Sequence, residues 1–182
     1  MKAIIIPGNG NTPISDNWFP YVKRRLLARG LEVIAEDMPD PELARKSYWL
    51  PFIEKKLKTE EAILIGHSSG AVAIMRYLEE HKAKLAILVG VCYTDLGLES
   101  EKKSGYYDEP WNWEAIKKNA KKICIFASKN DPYISISEPR HIKDQLEAEY
   151  HEYNDEGHFG SDVNKTEFPE IVMVVENFLR KE

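Results

Sequence analysis

Residues Ala62–Tyr77 read AILIGHSSGAVAIMRY. Four apolar residues, Ala62 to Ile65, run into Gly66-His67-Ser68-Ser69-Gly70. An apolar segment at helical spacing follows, with Ala71, Ile74, Met75 and Leu78. A short, continuously apolar run suits a strand covered on both faces, as in a parallel sheet. The seam between this strand and the helix after it holds two serines between two glycines. Either the glycines only permit a tight turn, or the turn exists to hold Ser68 away from the rest of the chain.

The same strand-then-helix unit recurs along the sequence. Strand-like runs cover Ala3–Ile6, Glu32–Ala35, Ala62–Ile65, Leu85–Val91, Lys122–Phe126 and Ala148–Tyr153. Helix-like stretches cover Trp18–Ala28, which Gly30 stops, then Ser47–Leu57, Gly70–Glu80, Trp113–Ala120, Glu138–Glu147 and Glu167–Leu179. This alternation predicts one α/β domain over residues 1–182, with a mainly parallel sheet of about six strands between two helical layers. Ligands of such sheets sit at the carboxyl ends of the strands. The loops after Ile6, Ile65, Val91, Phe126 and Tyr153 are therefore where chemistry is expected.

Composition narrows the function classes. The 182 residues are 43% hydrophobic and 30% charged, with a net charge of −5, which suits a globular core and disfavours nucleic acid or anionic membrane as the main partner. The longest apolar runs, such as LAILVGVCY from Leu85, are too short to span a bilayer. The opening MKAIIIPGNG meets Pro-Gly too soon for a secretory signal, so a cytoplasmic location is expected. Cys92 and Cys124 fall in apolar runs and read as reduced, buried thiols. No CxxC or clustered His/Cys spacing points to a metal, and no cofactor is expected.

Gly66-x-Ser68-x-Gly70 fits the nucleophile-elbow pattern, in which a serine sits on a strained strand-to-helix turn and small residues two before and two after let the backbone pass. The following helix aims its free N–H groups at the place where an oxyanion forms. Ser69 lacks that flanking, with His67 and Ala71 beside it, and is placed instead to give a backbone N–H to the oxyanion. The pentapeptide alone would arise by chance in roughly 5% of chains this long, so its partners decide the matter. A serine needs a base, and the base needs an orienting acid. Asp131 stands just past the strand Lys122–Phe126, and His158 past the strand ending near Tyr153, with Gly157 to turn the imidazole. Serine, acid and histidine thus arrive in the elbow's usual chain order at one sheet edge.

Rivals are weaker. Asp155 is only three residues before His158 on the same loop, and Asp95 lies past the fourth strand. His67 adjoins Ser68 and should diverge from it, while His81, His141 and His151 read as structural or solvated. In the first loop, Pro7-Gly8-Asn9-Gly10, either Asn9 or Gly10 supplies the second oxyanion N–H, with Asn9 preferred. Gly8, Gly10, His67, Phe159 and Trp111 are the expected pocket residues. Tyr106, Tyr107 and Trp113 are further aromatic candidates, although such clusters more often pack a helix start against the core.

The segments IIIPGNG, MPDP, WLPF, IGHSSGA, MRY, SGY, PWNW, DP and GHF follow one another in this order. Together they resemble the retinoblastoma-binding protein 9-like family of small serine hydrolases, across nearly the whole chain. The resemblance implies a compact α/β-hydrolase without a large lid domain, a Ser-Asp-His triad falling on Ser68, Asp131 and His158, and small ester or amide-like substrates. One departure stands out. The Leu-x-Cys-x-Glu motif of retinoblastoma binders corresponds to Leu57-Lys58-Thr59-Glu60-Glu61, with Thr59 where Cys should be, so such a partner is not expected. The reading is a serine hydrolase acting on small carboxylic esters or amide-like bonds. The alternatives are an interaction protein with a vestigial site, and a thioesterase or acyltransferase using the same residues.

Overall fold

The computed structural model describes residues 1–182. Six strands alternate with helices: β1 (Lys2–Ile6), α1 (Phe19–Leu27), β2 (Glu32–Ile34), α2 (Lys46–Leu57), β3 (Ala62–His67), α3 (Ser69–Leu78), β4 (Ala83–Val89), α4 (Glu99–Ser104), α5 (Trp113–Asn119), β5 (Ala120–Ser128), α6 (Ser137–Leu146), β6 (Glu149–Tyr153) and α7 (Pro169–Leu179). The strands form a single sheet in the order β2-β1-β3-β4-β5-β6, and every neighbouring pair is parallel.

The period of two along each strand builds the layers. Ile4, Ile6, Leu64, Ala86, Leu88, Ile123 and Ile125 face α2, α3, α5 and α6, where they meet Trp49, Ile53, Ile74 and Ile142. Their neighbours Ala3, Ile5, Ile63, Ile65, Ile87, Cys124 and Phe126 face α1 and α7, against Phe19, Val22, Ile171 and Val175. All six residues of β3 are buried, which is why that strand reads as uninterrupted apolar sequence instead of alternation. Removing this much apolar surface from water from both faces is the main force holding the three layers together.

From β1 the chain moves outward to β2, then returns past β1 to β3 and continues in the other direction. The reversal leaves a crevice between the carboxyl ends of β1 and β3, the usual ligand position in such sheets. The loop beginning at Pro7 and the turn at Ser68 meet there.

Several element boundaries differ from expectation for identifiable reasons. β3 runs on to His67 and α3 starts at Ser69, so the strand-to-helix turn is the single residue Ser68. β4 stops at Val89 because Gly90 takes φ +57°, which leaves Val91 and Cys92 in the loop. α7 starts at Pro169, whose fixed φ suits a first helical position. α4 was not anticipated. Its six residues carry Glu99 and Glu101 in the first turn and Lys102 and Lys103 in the last, a charge order that complements the helix dipole.

Candidate active site

Ser68 has φ +54° and ψ −122°, a conformation that non-glycine residues rarely adopt. The glycines around it are held to that identity by space. A Cβ on Gly70 would stand 2.4 Å from the Ile6 carbonyl oxygen, and one on Gly66 would stand 2.5 Å from the Gly70 carbonyl carbon. The turn is therefore wedged against both the end of β1 and the start of α3. A Cβ on Gly8 would lie 3.2 Å from Ser68 Cβ, so the first loop passes directly beside the serine. The Ser68 N–H donates to the Val89 carbonyl at 2.8 Å, and its carbonyl caps the first turn of α3 by accepting from Ala71 and Val72.

Asp131 and His158 come from the loops after β5 and β6. His158 Nδ1 donates to Asp131 Oδ2 at 2.7 Å, and the Asp131 side chain is 3% exposed. The other Asp131 oxygen accepts the backbone N–H groups of Tyr133 and Ile134 at 2.9 and 3.0 Å. The His158 loop is held from several sides. Gly157 takes φ +51° and donates its N–H to Asn130 Oδ1. The His158 N–H donates to Asp162 Oδ2 at 2.6 Å. The imidazole lies over Gly90, where a Cβ would be 3.0 Å from Cε1. Ser68 and His158 line one cavity of about 310 Å³. No hydrogen bond joins their side chains; in resting enzymes such bonds are commonly long and tighten with substrate.

His67 diverges from Ser68, as its adjacency requires. Its Nε2–H donates to the His158 carbonyl at 2.7 Å, which leaves Nδ1 as the lone-pair nitrogen, buried and unpartnered. Burial above all, and then the neighbouring His158, push its pKa down from 6.5 to about 3. The unfolded chain binds this proton near 6.5 and the folded chain does not. The stability tied to neutral His67 is thus complete above pH 6.5 and is lost as pH falls from 6.5 toward 3, by on the order of a few kcal/mol. His67→Gln keeps a donor for the His158 carbonyl but cannot titrate. Thermal melts at pH 7.5 and 4.5 are expected to show an acid loss in Tm smaller in this variant than in the wild type by about 5 °C. Equal losses in the two proteins would refute the assignment.

Of the expected pocket residues, Gly8 and His67 line the cavity, and so do Asn9 and Ser69. Three do not, and each has a reason. Gly10 bends away at φ +67° and donates its N–H to the Glu42 carbonyl. Phe159 takes φ +57°, which turns its ring under the loop into the core. There it stacks on Phe168 with 5.5 Å between centroids, and its carbonyl accepts from Trp18 Nε1. Trp111 covers the Arg76 guanidinium, 3.6 Å from the ring centroid, and donates to the Tyr93 carbonyl. Tyr106 is likewise buried in the core, whereas Tyr107 reaches the cavity.

Sequence reading missed Glu101, Tyr133 and Asp162, all of which line the cavity. Glu101 comes from α4, accepts from Asn9 Nδ2 at 2.7 Å, and has its pKa raised by burial. The acid-first, base-last pattern between Gly97 and Gly105 is the signal that would have placed that helix.

Arg76, 4% exposed on α3, donates to the backbone carbonyls of Tyr106, Glu109 and Pro110 and pairs with Glu79 at 2.7 Å. Its guanidinium thereby fastens the segment carrying Tyr107 to the helix that begins beside Ser68. A buried charge with this many acceptors is fully compensated.

Comparison with known proteins agrees with this architecture. Residues 3–177 match the sequence family described as "Serine hydrolase". The chain is 43% identical to the serine hydrolase RBBP9 of Rattus norvegicus over 98% of its own length and 95% of the relative's. It is 27% identical to the ydeN gene product of Bacillus subtilis, whose crystal structure superposes with a TM-score of 0.90 over 98% of each chain. Est1E of Butyrivibrio proteoclasticus, solved with ferulic acid bound, shares the fold at a TM-score of 0.75 and 16% identity, covering 99% of this chain and 88% of that one.

Proposed function

The chain belongs to the serine hydrolase family, and from that premise we propose that it cleaves small carboxylic esters or amide-like bonds through an acyl-enzyme on Ser68. His158 Nε2 takes the Ser68 proton as Oγ attacks the substrate carbonyl carbon. Asp131 accepts the Nδ1–H, fixing the tautomer in which Nε2 carries a lone pair. The oxyanion is held by the backbone N–H of Ser69, at the positive end of α3, and by that of Asn9. His158 then passes its proton to the leaving oxygen or nitrogen, and the acyl group remains on Ser68. Water, deprotonated by the same imidazole, releases the acid and restores the serine.

The observation that carries this reading is the 2.7 Å contact between His158 and a buried Asp131 at the rim of the cavity that also holds Ser68. Two further features support it. The Gly10 N–H is occupied by Glu42, whereas the Asn9 N–H makes no hydrogen bond within the chain, which favours Asn9 as the second donor. The cavity, at about 310 Å³, is at the small end of ligand sites, in keeping with small substrates. A retinoblastoma-type partner is not part of the proposal, since Leu57 of the altered motif is fully buried at the end of α2.

A fluorophosphonate probe tests the nucleophile. Wild type and Ser69→Ala are expected to label and Ser68→Ala is not; labelling that survives loss of Ser68 would overturn the proposal. Among p-nitrophenyl esters, short acyl chains are expected to be turned over faster than long ones.

A further inference from the structure

At the outer edge of the sheet, β5 and β6 bring together three groups that the hydrolytic chemistry does not use. Cys124 and Glu149 are register partners on neighbouring strands, and His151, two residues further along β6, shares their face. Glu149 Oε1 lies 2.8 Å from His151 Nε2 and 3.9 Å from Cys124 Sγ. All three donor atoms fall within 4.8 Å of one another. The second Glu149 oxygen is taken by Lys122 Nζ at 2.6 Å. The Phe126 ring stacks on the His151 imidazole at 4.8 Å and 13° between planes, which holds the imidazole in place. Cys124 is buried, while the Glu149 and His151 side chains are each 39% exposed, so the cluster opens to solvent on one side.

We propose that Cys124 Sγ, Glu149 Oε1 and His151 Nε2 form a binding site for one divalent cation of the zinc class, with its fourth position open to water. A thiolate, an imidazole and a carboxylate are the donor set that such borderline-soft ions take, whereas calcium and magnesium want oxygens alone. Bonds of about 2.3 Å to sulfur and about 2.0–2.2 Å to nitrogen and oxygen put tetrahedral donors roughly 3–4 Å apart, close to the separations found here. On binding, the thiol gives its proton to water and a sulfur–metal bond replaces it. His151 carries its remaining proton on Nδ1, so the Nε2 lone pair meets the ion. The thiolate and the carboxylate together balance the two positive charges, and Lys122 stays on the other carboxylate oxygen. Because binding releases the thiol proton, affinity should rise with pH. The ligands are split between two strands, which is why sequence spacing did not reveal them.

Cadmium titration followed in the ultraviolet reads the thiolate–metal charge-transfer band, and zinc competition reads affinity. Wild type and Cys92→Ala are expected to give a band that saturates at one ion per chain, and Cys124→Ser is expected to give none. His151→Gln, at a half-exposed position, should weaken binding by about tenfold or more without threatening the fold. Absence of a saturable band in wild type, its loss in Cys92→Ala, or unchanged affinity in His151→Gln would overturn the site. Hydrolysis by wild type in the presence of a chelator is expected to be unaffected, which separates this test from that of the hydrolytic site.

Discussion

Ser68→Ala is expected to lower kcat by about 10⁶-fold, leaving only the residual rate that binding and the oxyanion donors provide. The size follows from the role proposed for the group removed. Without Oγ there is no acyl-enzyme, and the remaining path is direct attack by water, poorly aligned at this turn. The fold should survive, because the Ser68 side chain makes no hydrogen bond and the strained φ of +54° is imposed by packing of Gly66 and Gly70 against the backbone around them. Alanine tolerates that backbone no worse than serine. Steady-state rates with p-nitrophenyl acetate, alongside a thermal melt matching wild type, check it. A variant with near-native stability and a rate within tenfold of wild type would sink the nucleophile.

Asp131→Asn is the second large effect, with kcat expected to fall by about 10⁴-fold. One Asp131 oxygen accepts two backbone N–H groups and the other accepts His158 Nδ1–H. An asparagine has a single acceptor oxygen for these two tasks. Two backbone donors outbid one imidazole, so the amide oxygen should stay with Tyr133 and Ile134 and turn its NH₂ toward His158. The imidazole must then present Nδ1 as an acceptor and carry its proton on Nε2, the atom proposed to receive the Ser68 proton. The geometry persists while the base is disabled. The stability of the variant should change much less than its rate, and steady-state rates across pH 6–9 measure the loss. A loss below tenfold throughout that range would remove Asp131 from the mechanism.

How far the sequence was legible depends on what each residue answers to. The strands were readable because burial on both faces admits only apolar residues, and β3 is buried throughout. The convergence of Ser68, Asp131 and His158 was readable because each lies past a strand end, and the sheet brings those ends to one edge whatever the loops do. Within the loops, large aromatic side chains were not legible. Phe159 follows His158 in sequence, yet a single positive φ sends its ring into the core. Trp111 was chosen for its aromatic surface, but Arg76, 35 residues earlier in the sequence, claims that surface. α4 is too short for its periodicity to register, and with it went Glu101. Strand positions answer to a local pattern, whereas loop side chains answer to distant partners that no window of sequence contains.

Arg76 has a wider consequence. Helix α3 begins at the Ser68 turn, and through this one guanidinium the same helix grips the loop that brings Tyr107 to the cavity. The Ser68 turn and the Tyr107 wall are thus two ends of one lever, braced by a cation between a tryptophan and three carbonyls. If acylation takes place at Ser68 as proposed, selection among acyl groups is expected to follow the outline of this braced opening.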